Sequence, residues 1–360
     1  MKVLLVNAKP SLADSVAKCD GVEVALLWPR KYDLANVAPP DRVSPQYYAG
    51  GPKLNLRAAW QMRRILRTMR PDIVHAFYGR ALAHVVLAAS GLRSRPRIVS
   101  FRGITSTLSP LNAGDWISYR HPKVDAHACE SEAVRQSLIA SGIDAARCWI
   151  TYNSKQMPAA LRPGRKGLEQ FGIPADAFVI GTIATMRRVK GIDILLRAAS
   201  ACAELSDVHW ILFGRLVDPE IRRLAADPLI SERVHLVGHR ADASELISGA
   251  DLFVMPSRAE ALCQALLEAM HQGVCPVVSD AGGMKEVVRH GVDGLVFASE
   301  TVGALAQARR TLHADRQTMK QYAAAARQRV AAEFTAERMA ERCLAMYRDL
   351  LGSRRSREAA

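Results

Sequence analysis

In the stretch "SRAEALCQALLEAMHQG", residues 257–273, two carboxylates, Glu260 and Glu268, stand in an otherwise apolar segment. If a helix starts near residue 260, the two acids lie about 80° apart around it and roughly 12 Å apart along it. That is too far for one shared ligand atom. It suits a long ligand held at both ends, with an anionic group between, near helix-terminal amides that favour negative charge. A nucleoside diphosphate carrying a sugar has that shape. One acid would accept hydrogen bonds from ribose hydroxyls and the other from sugar hydroxyls. Taken alone the spacing is more often structural, because acids in first turns are routine.

Positive groups stand in loops of the same half of the chain. "ATMRRVKG" (184–191) offers Arg187, Arg188 and Lys190 ahead of a helix, a cradle for phosphate that a merely solvated loop would also resemble. "FGRLVDP" (213–219), "GHRADA" (238–243, with Arg240) and "PSRAEALCQ" (256–264) are the other loops expected at carboxyl ends of strands. In the first half, His75 ends the run "DIVHAF", and Arg102-Gly103 follows "RIVSF". A buried, satisfied histidine is as good a reading of His75 as a cleft residue.

The elements that would position these groups alternate along the chain. Strand runs "KVLLVNA", "VEVALLW", "DIVHAF", "RIVSF", "AHACES" and "CWITYN" are separated by helical patterns at 57–69, 80–92 and 131–142. A stretch rich in proline and glycine, 153–176, interrupts them. The runs "FVIGTIAT", "HWILFG", "RVHLVG", "LFVMPS", "CPVVSD" and "GLVF" follow, with helices expected at 191–205, 218–229, 242–249, 260–272 and 284–290. Only helical patterns remain after residue 300. Such alternation predicts parallel sheets covered by helices on both faces. The expected division is 1–153, a linker with a first helix at 154–176, a second domain at 177–335, and a C-terminal helix with a basic tail at 336–360.

At 360 residues the chain exceeds the usual size of one core. No apolar run approaches the roughly 20 residues that cross a bilayer, and the first apolar run is too short for a signal peptide. Seven scattered cysteines without Cys-x-x-Cys argue against a disulfide framework or zinc site, and for a reducing, cytoplasmic compartment. The net charge of +14 fits an anionic membrane surface or a phosphate-rich substrate better than nucleic acid, whose usual aromatic or zinc-finger signatures are missing.

The run 251–297, "DLFVMPSRAEALCQALLEAMHQGVCPVVSDAGGMKEVVRHGVDGLVF", resembles the signature of the family-4 retaining glycosyltransferases. It has Pro-Ser after a strand, Glu-x7-Glu, Glu-Ala-Met, Pro-Val-Val, a Gly-Gly turn and Gly-x-x-Gly-Leu in the family's order. "VKGIDILLRA" (189–198) resembles the family's Lys-Gly helix start. The resemblance covers most of 178–297 and the first half only in outline. It implies the GT-B fold, two Rossmann-like doubly wound domains facing a central cleft, with the last helix crossing back to the first domain.

By the same resemblance, Glu260 corresponds to the acid near the transferred sugar and Glu268 to the one that binds ribose. Lys190 corresponds to the diphosphate lysine, and the amides of Leu262, Cys263 and Gln264 to those that meet sugar and diphosphate. Three departures stand out. Ala184 and Thr185 occupy the positions of an expected arginine, for which Arg187 or Arg188 would have to compensate. "NAKPSLAD" replaces a Gly-Gly loop, and Arg102-Gly103 stands where a histidine is common. The implied reaction is retaining transfer of a hexose-type sugar from a nucleotide-diphosphate donor to a lipid-linked or cell-surface glycan. No Asp-x-Asp occurs, so neither metal nor other cofactor is expected. A nucleotide-sugar epimerase or hydrolase of the same fold, or a non-catalytic nucleotide-sugar or nucleic-acid-binding protein, are the alternatives.

Overall fold

The computed structural model describes residues 1–30, 40–154, 157 and 164–358, with side chains described as far as residue 353. The chain divides into two compact units, Met1–Gln156 with Thr335–Ala360, and Met157–Phe334.

The first unit carries the strands β1 (Lys2–Val6), β2 (Glu23–Pro29), β3 (Pro45–Tyr48) and β4 (Ile73–Phe77). It continues with β5 (Arg97–Arg102), β6 (Val124–Cys129) and β7 (Cys148–Ile150). Among the described residues they form one seven-stranded sheet in the order β3-β2-β1-β4-β5-β6-β7, with every pairing parallel. All five residues of β4 are buried, as expected of a central strand covered on both faces. The order reverses between β1 and β4, so the loops after these strands flank a crevice suited to ligands. Side-chain caps start two of the covering helices: Asn55 accepts from the Ala58 amide ahead of Leu56–Met69, and Ser131 from Val134 ahead of Glu132–Ala140. The helix Ala336–Glu358 belongs to this unit, where Met339, Cys343, Leu344 and Tyr347 share a core with Leu12, Val16 and Trp28.

The second unit carries β8 (Phe178–Ile183), β9 (Val208–Phe213), β10 (Val234–Gly238), β11 (Leu252–Met255), β12 (Cys275–Ser279) and β13 (Leu295–Phe297). Its parallel sheet runs β10-β9-β8-β11-β12-β13 and reverses between β8 and β11. Each unit thus has the doubly wound parallel architecture expected from the alternation. No described helix is long and apolar enough to cross a membrane.

Several expectations need correction. The edge strand β3 has no counterpart in the sequence reading, because Gln46 and Tyr47 are exposed and the strand is four residues long. The helix expected at 260–272 is Gln264–His271, and those at 191–205 and 284–290 are Ile192–Ser200 and Met284–Val287. Of the expected linker, residues 155–156 and 158–163 lie outside the described residues, as do the side chains of the basic tail from 354. The first helix expected within that stretch is Arg165–Leu168, tied to its own unit by an ion pair from Arg165 to Asp251 at 2.9 Å.

Candidate functional site

The second unit brings its candidate groups together where its strand order reverses. After β8 the chain makes a short 3-10 turn, Arg188–Lys190, and passes through Gly191 at φ +67° into the helix Ile192–Ser200. A side chain at Gly191 would overlap the Pro256 carbonyl, so the loop after β11 lies directly against this turn. The Arg258 amide donates to the Val189 carbonyl at 2.8 Å. The Arg258 guanidinium grips Asp193 through two bonds of 2.8 Å, Glu300 at 2.7 Å and the Arg188 carbonyl at 2.5 Å. The Asp193 contact holds the arginine above its usual pKa, and the same contact holds the carboxyl below its own. One side chain therefore locks the two candidate loops to each other.

Within this clamp Lys190 Nζ lies 2.5 Å from Glu260 Oε2, and the Ser257 hydroxyl donates to the same oxygen at 3.2 Å. The Glu260 side chain is only 12% exposed. Its backbone is held as well, since the Gly283 amide donates to its carbonyl at 3.2 Å and a side chain at Gly282 would overlap that carbonyl. The chain then crosses Cys263 at φ +67° before the helix Gln264–His271 begins. Glu260 therefore precedes the helix, and the wheel geometry anticipated for it and Glu268 does not hold. Glu268 stands one turn above Gln264, about 6 Å along the axis, on the half-buried face these two share. The amides of Leu262, Cys263 and Gln264 lie at the helix start, ahead of the first intrahelical bonds. Burial, reinforced by the Glu260 charge, pushes the Cys263 thiol up to about 12, which leaves it unreactive.

The remaining cations divide. Arg187 and Arg188 are exposed. Arg240, expected at the donor, makes bonds of 2.7 and 2.6 Å to Asp242, two residues on. Beyond β8, β9 and β10 a cavity of about 530 Å³ is lined by Ala184, Thr185, Gly214, Arg215 and His239. Arg215 is thus the cation beside the two positions where the expected arginine is missing. No local sequence pattern marks Arg215, because it comes from the next strand's loop, brought there by the bond from the Met186 amide to the Arg215 carbonyl at 2.9 Å.

In the first unit a larger cavity, about 960 Å³, opens at the strand reversal and is lined by Asn7, Lys53, Tyr78, Arg80, Arg102 and Gly103 among others. A side chain at Gly103 would meet the Glu130 carboxylate, which would have to move aside. His75 is absent from that lining. It is fully buried, with Nδ1 2.7 Å from the Tyr347 hydroxyl and its ring stacked on Phe77. Burial lowers its pKa to about 3, so His75 is a neutral core residue and not a cleft group.

Comparison with known proteins bears on both units. The family model described as Glycosyltransferase Family 4 matches residues 11–154, and that described as Glycosyl transferases group 1 matches 165–329. The chain is similar to D-inositol 3-phosphate glycosyltransferase of Mycobacterium tuberculosis, 31% identical over 235 residues, covering 61% of this chain and 48% of the relative. It therefore spans about half the length of the curated relatives it matches. Among solved structures, a glycosyltransferase from Rickettsia africae aligns with a TM-score of 0.80 at 18% identity, over 97% of this chain and 98% of that one. Anabaena Alr3699/HepE in complex with UDP aligns with 0.74 at 21%, over 97% and 100%. At these identities the structural likeness speaks for the fold.

Proposed function

Because the chain belongs to the GT-B glycosyltransferases, with a family 4 model over its first half and a group 1 model over its second, we propose that it moves a sugar from a nucleotide-diphosphate donor to a glycan acceptor. The observation that carries this reading is the Lys190–Glu260 pair, clamped beside the start of the helix Gln264–His271. In sugar transfer the bond between the anomeric carbon and the diphosphate oxygen breaks through an oxocarbenium-like state. Negative charge grows on the diphosphate, so fixed donors aimed there lower the barrier. Lys190, Arg215 and the amides of residues 262–264 take that role, with Arg187 and Arg188 as outer cations. Glu260 holds sugar hydroxyls and faces the electron-poor centre, and Glu268 takes the ribose. Donor binding loosens the Lys190–Glu260 bond, since the lysine turns to phosphate and the carboxylate to the sugar.

The finer reading is retaining, metal-independent transfer of a hexose-type sugar to a lipid-linked or cell-surface glycan of lipopolysaccharide, capsule or exopolysaccharide type. The acceptor hydroxyl attacks the face the diphosphate leaves, and its proton passes to the departing diphosphate. A cytoplasmic membrane face suits such an acceptor, and exposed Leu54, Leu56 and Trp60 beside Arg57 and Arg64 support it. A thermal-shift series with UDP, GDP, ADP and their hexose conjugates tests the donor reading, because a ligand of the folded state raises the melting temperature. One nucleotide and its sugar conjugate should raise it by several degrees; no shift with any of them contradicts the reading. Release of free sugar from the donor without acceptor, at the full rate, would instead indicate a hydrolase.

A further inference from the structure

The two oxygens of the Glu260 carboxylate are held unequally. Oε2 accepts from both Lys190 Nζ and the Ser257 hydroxyl, while Oε1 accepts no bond among the described residues. One oxygen is thus turned to the protein and the other is left for a ligand. The Gly283 amide fixes the Glu260 backbone, but the last torsion of a glutamate is broad and roughly two-fold. When Lys190 leaves for a diphosphate, that torsion alone would let the carboxylate turn after it. Among the described residues, the Ser257 hydroxyl is the donor that then remains on Oε2.

Ser257 is itself anchored. It follows β11 and is fully buried, and its carbonyl accepts from the Ser279 hydroxyl at 2.6 Å and the Ser299 hydroxyl at 3.4 Å. Ser279 ends β12, behind the apolar run Pro276-Val277-Val278, and is fully buried as well. The Ser299 loop is pinned in turn, since its amide donates to Asp280 at 2.9 Å and Arg258 holds Glu300 at 2.7 Å. A buried hydroxyl adds little to a fold beyond what alanine would, because its bonds roughly offset its loss of water. Two such hydroxyls in series, ending on the one carboxylate the chemistry needs, are better explained by where they hold that carboxylate.

We propose that Ser257, backed by Ser279, is a positioning residue for the donor sugar, keeping Glu260 Oε2 on the protein so that Oε1 meets the sugar hydroxyls. The proposal rests on the donor reading, in which Glu260 holds the sugar and Lys190 the diphosphate. Neither serine touches the donor. Ser257 acts through Glu260, and Ser279 through the Ser257 carbonyl.

Such a role separates sugar from nucleotide, whereas a displaced loop would weaken both. The test is calorimetric titration of UDP, GDP and ADP, and of their glucose conjugates, into the full chain and its variants. Ser257→Ala should weaken the glucose conjugate about fivefold, the weight of one ordinary hydrogen bond, and leave the bare nucleotide unchanged. Ser279→Ala should act in the same direction by about twofold, since it works at one remove. In a Glu260→Ala background neither substitution should weaken the conjugate further, because the group they act through is gone. The proposal is overturned if Ser257→Ala binds the conjugate as the wild type does. It is equally overturned if conjugate and bare nucleotide weaken together, or if the loss persists without Glu260. Should Ser257→Ala not fold, Ser279→Ala carries the same three comparisons. Failure of every nucleotide to bind the wild type is a different result, which would remove the donor reading and the proposal with it.

Discussion

At the scale of single residues, the account rests on a buried carboxylate and a lysine that share one bond and separate when donor arrives. Removing either should therefore spare the fold and damage the chemistry. Glu260→Ala and Lys190→Ala are each expected to cut donor-sugar turnover at least about a hundredfold, roughly 2.7 kcal/mol of lost transition-state stabilisation. Steady-state rates at saturating donor would measure this, and near-normal rates in both variants would sink the assignment. Arg258 acts differently. It touches no proposed ligand atom but joins Asp193, Glu300 and the Arg188 carbonyl. Arg258→Ala should cost about 1–3 kcal/mol in a urea titration, since the bonds are charge-assisted and half-buried, and lower turnover through loop displacement. The resemblance of their surroundings to a family signature, not their spacing, made Lys190 and Glu260 legible. Arg258 and Arg215 were not, because their partners come from other loops and a lone basic residue in a loop looks solvated.

At the scale of elements, glycines set how closely two loops approach. Gly191 and Gly282 both have positive φ, and each faces a carbonyl, of Pro256 and Glu260 respectively, that a methyl group would overlap. Gly191→Ala and Gly282→Ala are expected to destabilise the second unit by more than about 2 kcal/mol, through strain added to the clash. Denaturant midpoints unchanged from wild type would show that the loops are not clamped. The parallel strands were legible because buried runs of β-branched and apolar residues alternate with longer helical patterns. The start of the helix after β11 was not. Ala261, Leu262 and Cys263 continue an apolar helical spacing, yet Cys263 adopts a left-handed backbone that no residue type announced. His75 stayed open between core and cleft for a related reason: its partner, Tyr347, lies 272 positions away on a helix whose docking no local pattern reveals.

At the scale of the whole molecule, two global properties follow from charge and burial. His75 and His127 are both buried neutral, each with its pKa lowered to about 3 by loss of solvent. A histidine with a depressed folded pKa contributes stability that is present above about 6.5 and is lost as pH falls towards 3. Between pH 7 and pH 5 each should cost the first unit about 2 kcal/mol, read as a falling urea midpoint. A midpoint constant over that range would contradict the burial. The net charge of +14 predicts binding to anionic vesicles at low salt and release above about 0.5 M, where screening is nearly complete; no binding even at low salt would remove the membrane reading. The central claim, however, concerns where one diphosphate sits. A crystal structure with the nucleotide selected by thermal shift tests it directly. The account predicts diphosphate oxygens within hydrogen-bond reach of Lys190 Nζ and of the amides at 262–264, with Glu260 freed from the lysine. A diphosphate bound elsewhere, with the Lys190–Glu260 bond intact, would contradict it.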